Sequence, residues 1–153
     1  MSAPLEITVD KFTFRVPTDR LYTRDGVWVL RVEPTGAARV RVGVSDFLQQ
    51  RSGDVTFVTV RPPGTRLGAG ADVAEIETIK VNVALPSPVA GTVLEVNPAL
   101  EATPEVVNQD PYGQGWLAVM VAADWDADRA GLLTPEAYLT HMRQQAESEV
   151  ETS

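Results

Sequence analysis

Between residues 73 and 85 the hydrophobic alternation changes phase once, and that change dictates a bend. In Ala74-Glu75-Ile76-Glu77-Thr78, Ile76 takes the core phase and the two glutamates face solvent. Further on, Ile79, Val81 and Val83 share one side. Side chains along a strand alternate with a period of two, so a one-residue change of phase requires a turn or a bulge. The break falls at residues 78–80. It places Lys80 at or beside a hairpin bend, projecting outward between two apolar neighbours. Pro86-Ser87-Pro88 then closes the second arm.

The rest of the chain supplies short strands for that hairpin to join. Residues 1–20 alternate loosely and read as a short extra strand or arm. Residues 27–32 read as a strand, followed by the turn signal Glu33-Pro34-Thr35-Gly36. Val40, Val42 and Val44 then alternate with Arg39 and Arg41, the pattern of a half-buried strand. Residues 45–53 predict a short helix, with Ser45 as N-cap, Asp46 at the positive end of the dipole and Gly53 just past the end. Residues 55–60, 89–96 and 116–121 predict further strands, the last buried on both faces. Thr103-Pro104-Glu105 predicts a helical turn that starts with a capping Thr and a proline at N1. Thr134-Pro135-Glu136 starts a C-terminal helix in the same way, with Leu133, Tyr138 and Met142 as its packing stripe. The polar residues 148–153 read as a frayed tail. Short strands with turns between them imply a mainly-β sandwich or barrel, with short flanking helices and a C-terminal helix.

Composition narrows the chemistry. The chain has no cysteine, which removes disulfides, thiolate metal sites and thiol nucleophiles. Its one histidine, His141, lies in a polar C-terminal stretch, so neither a Ser-His-Asp arrangement nor a histidine-rich metal site is expected. A net charge of -8 argues against nucleic acid and anionic membrane surfaces, which require clustered positive charge. It suits a partner with a basic docking surface. No apolar run approaches a membrane span and no signal peptide is evident, so the cytoplasm is the expected location. Asp124, Asp126 and Asp128 alternate like a metal loop but lack its completing glycine and glutamate, and read as a solvated turn.

Of the thirteen basic residues only Lys11 and Lys80 are lysines; the others are arginine. A chain that uses arginine for its surface cations and keeps a lysine on a bend points to amine chemistry, because a primary amine can be acylated and a guanidinium effectively cannot. Acylation removes the charge, which makes Ile79 and Val81 compatible neighbours. Glu77 and Thr78 keep the rim polar and offer a modifying enzyme something to recognise.

Six blocks, in order, resemble the glycine cleavage system H protein family. They are Leu21-Tyr22-Thr23 with Trp28-Val29; Val42-Gly43-Val44-Ser45-Asp46; Gly53-Asp54-Val55 with Phe57-Val58; Ile76-Glu77-Thr78-Ile79-Lys80; Ser87-Pro88-Val89-Ala90-Gly91-Thr92-Val93-Leu94-Glu95-Val96-Asn97; and Pro104-Glu105-Val106-Val107-Asn108 with Asp110-Pro111-Tyr112-Gly113 and Gly115-Trp116-Leu117. The resemblance covers roughly residues 21–142. It implies a lipoyl-domain-like barrel-sandwich hybrid, a carrier domain over residues 21–147, and a covalent lipoate on Lys80 whose presentation is set by Glu77, Thr78, Ile79 and Val81. It implies a carrier without catalysis of its own, served by a lipoate ligase or lipoyl-transfer enzyme. A biotin carrier is the architectural rival, but such domains usually flank the modified lysine with methionines.

The departures from the family bear on cargo. The resemblance places a His-Glu pair where Gly26 and Val27 stand, an acidic residue where Ala84 stands and a small residue where Val81 stands. An aminomethyl cargo is cationic and needs acidic partners. The leading expectation is therefore a carrier of sulfur-bound intermediates, resembling the H-like lipoate-binding proteins that serve heterodisulfide-reductase-like complexes in sulfur oxidation. The alternative is aminomethyl transfer from glycine decarboxylase to aminomethyltransferase. A module that has lost its arm is the third reading.

Overall fold

The computed structural model describes residues 3–32, Gly36 and residues 38–152, the side chains of residues 151 and 152 excepted. Three of the four residues in the turn signal Glu33-Pro34-Thr35-Gly36 lie outside them. The described chain is mainly β, as expected. Strands β1 (Leu5–Val9) and β2 (Phe12–Val16) form a hairpin. Strands β3 (Leu21–Tyr22), β4 (Val27–Arg31), β5 (Arg39–Val44), β7 (Arg66–Leu67), β10 (Gly91–Val96) and β11 (Ala118–Ala122) form an antiparallel sheet in the order β3-β4-β5-β11-β10-β7. Strands β6 (Val55–Val60), β8 (Asp72–Thr78) and β9 (Asn82–Pro86) form a second one, ordered β6-β8-β9. The helices are α1 (Asp46–Ser52), α2 (Ala99–Ala102), α3 (Val106–Gln109), α4 (Trp125–Arg129) and α5 (Pro135–Thr152).

One core lies between the two larger sheets. Val29, Val40 and Val42 meet Val73, Ile76 and Leu85 there. A second core lies on the other side of β4, where Trp28 packs with Phe14, Phe47, Tyr138 and Met142. Val27, Trp28 and Val29 are therefore all buried, although successive residues of a strand face opposite ways. Trp28 lies against its cross-strand partner Gly43, where a Cβ would come within 2.5 Å of the indole ring. The indole N–H donates to the Pro111 carbonyl at 3.0 Å, which satisfies its polar edge. Tyr138 and Met142 pack as the C-terminal stripe predicts, joined by Ala146.

Four sequence expectations require correction. Residues 1–20 hold two strands rather than one, because Asp10 adopts φ 56° and lets the chain reverse over Asp10-Lys11; aspartate tolerates that region better than most residues. Thr103 ends α2 instead of capping the next turn, and α3 begins after Glu105. The strand expected from residue 89 pairs only from Gly91, which must approach the Val121 carbonyl closely. The polar residues after 147 continue α5 to Thr152, and Arg51 pairs with Glu149 at 3.0 Å to hold that end against α1.

The three alternating aspartates have structural tasks. Asp124 caps α4 by accepting the Ala127 N–H, Asp126 pairs with Arg129, and Asp128 accepts the Ala90 N–H at 2.8 Å.

Candidate functional site

The bend that joins β8 to β9 is closed by Thr78. Its backbone N–H donates to the Val81 carbonyl at 2.8 Å. Its hydroxyl accepts the N–H of Lys80 at 3.1 Å and of Val81 at 3.0 Å, and donates to the Val81 carbonyl at 3.1 Å. A side-chain hydroxyl thus takes the place of a backbone carbonyl in the turn, which a threonine can do and a valine cannot. The Ile79 N–H donates to the Asp54 carbonyl, tying the tip to the loop after α1. Ile79 is 74% exposed and Val81 47% exposed, so two large apolar side chains stand in water on either side of Lys80. Glu77 is half-buried and pairs across the sheet with Asn82. The five residues singled out in the sequence are contiguous on this bend.

The Lys80 side chain does not extend straight into solvent. Its Nζ donates to the Arg51 carbonyl at 3.1 Å. Arg51 lies in the last turn of α1, where carbonyls lack intrahelical partners and carry the negative end of the helix dipole. The stem of Lys80 passes Gly53, where a Cβ would stand 3.1 Å from Lys80 Cε. Gly53 has φ 94° and closes α1 with its N–H on the Gln49 carbonyl. Asn108 fixes this corner: its amide nitrogen donates to the Gly53 carbonyl and to Gln49, and its oxygen accepts the Val55 N–H. Gly53 is legible in the sequence as a helix stop. Arg51 and Asn108 are missed as neighbours of the site, since neither carries a local signal of contact with a hairpin so distant in sequence.

The positions that depart from the family are all defined. Gly26 has φ +92°, and a Cβ there would stand within 3.2 Å of Leu48, Ser45 and the Tyr138 hydroxyl. No histidine fits without displacing them. Val27 is fully buried in the main core, opposite Val44. Ala84 is exposed on β9, across from Glu75.

A set of tyrosines packs behind α1. Tyr138 shares a 2.7 Å hydrogen bond with Ser45, the residue that caps α1 through the Leu48 N–H. Tyr22 stacks on Tyr138 with ring centroids 4.6 Å apart. Tyr112 donates to the Arg15 carbonyl and accepts the Asp46 N–H. Burial is the main reason that all three phenols hold their protons more tightly than an ordinary tyrosine, with Tyr138 pushed up to about 12.

Residues 20–145 match the model of the family described as Glycine cleavage H-protein. The chain belongs to this family. Glycine cleavage system H proteins from Chlorobium limicola and Thermus thermophilus are 45% and 42% identical to it, each over 80% of this chain and over 94% and 92% of their own length. The crystal structure of a glycine cleavage system H protein from Mycobacterium marinum superposes with a TM-score of 0.68 at 32% identity, covering 80% of this chain and 95% of that one. The fold is accordingly the lipoyl-domain-like barrel-sandwich hybrid of the H proteins, with sheets that do not close. The β1–β2 hairpin precedes the matched region.

Proposed function

We propose that this H-family chain is a non-catalytic carrier that bears lipoate on Lys80, and that the arm serves glycine cleavage. The observation that carries the reading is the Lys80 amine at the tip of a Thr78-clamped bend. It is held by one main-chain carbonyl contact that exchanges readily for water. The residues present fit the group: an amide at Nζ removes a charge between Ile79 and Val81, and the exposed bend is open to a lipoate ligase or lipoyl-transfer enzyme. When bound, lipoate supplies a dithiolane that takes up and releases a carried group. Thr78 holds the direction in which the Lys80 stem leaves the turn, and Gly53 leaves room for it to swing.

The names of the relatives favour an aminomethyl cargo passed from glycine decarboxylase to aminomethyltransferase over the sulfur-bound cargo expected from the departures. The second reading keeps one specific support. Val27 and Ala84 provide no carboxylate, so a cationic cargo must find Glu75, Glu77 or a partner's acid instead.

Intact-protein mass spectrometry from a lipoylating host tests the carrier reading: a lipoyl mass increment that disappears in Lys80→Arg is the expected result, and an unmodified Lys80 beside a fully modified relative overturns it. Incubating the lipoylated protein with glycine decarboxylase and glycine separates the cargoes. Efficient loading supports the glycine reading. Failure to load, with lipoylation complete, shifts the case to a sulfur-bound cargo and a heterodisulfide-reductase-like partner.

A further inference from the structure

Strand β6, Val55-Thr56-Phe57-Val58-Thr59-Val60, holds no charge, no proline and no glycine. It is nevertheless the end strand of its sheet, which runs β6-β8-β9. Edge strands are usually guarded against pairing with another chain by charges or prolines. The ladder shows which main-chain groups are left over. The Arg61 N–H donates to the Val73 carbonyl at 2.9 Å. Hydrogen-bonded and non-hydrogen-bonded pairs alternate along an antiparallel ladder. Counting by twos from Arg61, Thr59 and Phe57 therefore bond to Glu75 and Glu77, their register partners on β8. Val58 and Val60 turn their N–H and C=O groups away from β8, and among the described residues no hydrogen bond meets them there.

A groove of about 490 Å3 follows this free edge, with Val96, Pro98 and Leu100 on its far side. Val58 and Val60 are half-buried, with their side chains packed against the main core. Phe57 is 56% exposed, and Thr59 is exposed on the same outer face. A large apolar side chain beside unmatched main-chain groups is what an added strand covers. The register shift between Val55 and Phe57 interrupts the strand there and leaves residues 57–61 as the regular stretch.

We propose that β6 pairs antiparallel with β6 of a second copy of this chain, about a two-fold axis through Thr59, joining two three-stranded sheets into one of six strands. The edge is complementary to itself. With Thr59 opposite Thr59 of the partner subunit, Val58 faces Val60 of the partner subunit. The outward N–H and C=O groups of these valines then close four hydrogen bonds. On the outer face Phe57 lies across from Arg61 of the partner subunit, twice by symmetry, which sets a guanidinium beside an exposed ring. Threonine opposite threonine is a favourable cross-strand pair. A foreign strand would have to supply each match separately, whereas a second copy supplies them all by symmetry. The net charge of -8 on each copy opposes association, so the contact is weak and salt strengthens it. Lys80, on the bend beyond β8, stays outside the joint.

Sedimentation velocity of the full chain between about 5 and 500 μM covers the range of weak interfaces. The expected result is a reversible monomer–dimer equilibrium, tighter at high ionic strength than at low. Thr59→Lys should weaken it by about tenfold or more, because two ammonium groups then face each other across the axis. Within its own sheet that lysine lies opposite Glu75, so the monomer keeps its fold. Val58→Pro should weaken the dimer by about thirtyfold, since each copy loses an N–H that β8 does not use. Circular dichroism and urea unfolding of both variants check the monomer. Amide exchange is the second readout. Val58 and Val60 should exchange more slowly as concentration rises, whereas Phe57 and Thr59 should not change, because β8 protects them already. A chain that stays monomeric over the whole range overturns the proposal. So does a dimer that Thr59→Lys and Val58→Pro leave intact, or one in which Val58 and Val60 exchange as fast as in the monomer. If a complex with a different chain shields those amides instead, the edge takes a foreign strand and the two-fold pairing is overturned.

Discussion

The hydroxyl of Thr78 accepts the backbone N–H of Lys80 at 3.1 Å, so the side chain that shapes the bend lies two residues before the one that the bend displays. Thr78→Val keeps the β-branched shape and removes three hydrogen bonds around the tip. Each such bond contributes about 1 kcal/mol, less where solvent can replace it. The expected outcome is a loss of about 1–2 kcal/mol in urea unfolding, with slower lipoylation by a purified ligase at equal protein concentration. Thr78→Ser should retain both within experimental error. A valine variant modified as fast as wild type would separate the turn geometry from recognition.

Gly53 has two reasons to be glycine, its φ of 94° and the Lys80 stem 3.1 Å from the position of a Cβ. Gly53→Ala should cost about 1–3 kcal/mol through the backbone alone. It should also push Lys80 off the Arg51 carbonyl. Thermal unfolding measures the first effect. The second is read as a change in the chemical shift of the Lys80 side-chain methylenes, which a purely local backbone cost would leave in place.

The bend was legible because it breaks a rule of period two, and the lysine because the chain otherwise prefers arginine. Strands with clean alternation, such as β5, were equally legible. The hairpin of residues 5–16 was not, since Asp10-Lys11 holds no glycine and only the folded backbone reveals the positive φ at Asp10. The tail's polarity reads as disorder, whereas Arg51 and Glu149 give it a partner. The surroundings of Lys80 stayed hidden for a related reason. Arg51 and Gly53 meet it, and Asn108 braces Gly53, only after two sheets and a helix have been assembled, and such contacts leave no local pattern.

The indole of Trp28 covers its cross-strand partner Gly43, with 2.5 Å between the ring and a notional Cβ. Gly43→Ala should therefore behave as an overpacking substitution and cost about 1–3 kcal/mol or more. In a background where Trp116 and Trp125 are replaced by phenylalanine, Trp28 serves as its own reporter. Its emission should move to longer wavelength as the indole is displaced from the Pro111 carbonyl, and the denaturation midpoint should fall in parallel. An unchanged spectrum with full stability would mean that the sheet can shift without cost at this point.

The buried tyrosines predict a one-sided pH response. In the folded chain Tyr138 is raised to about 12, chiefly by burial, while Tyr22 and Tyr112 are also raised, again chiefly by burial. An unfolded tyrosine titrates near about 10. Above that pH the unfolded chain has lost protons that the folded chain still holds, so the unfolded state binds fewer protons and stability falls with rising pH. Below about pH 10 these groups contribute no slope. Between about pH 10 and 12 each contributes up to about 1.4 kcal/mol per pH unit. Urea midpoints measured between about pH 8 and 11 should be level at first and then drop. Tyr138→Phe should be less stable at neutral pH by about 1 kcal/mol, because the Ser45 hydroxyl loses its 2.7 Å partner. Its decline above about pH 10 should nevertheless be shallower than that of the wild type by one tyrosine's share. Parallel curves for the two proteins would show that Tyr138 ionises without opposing the fold.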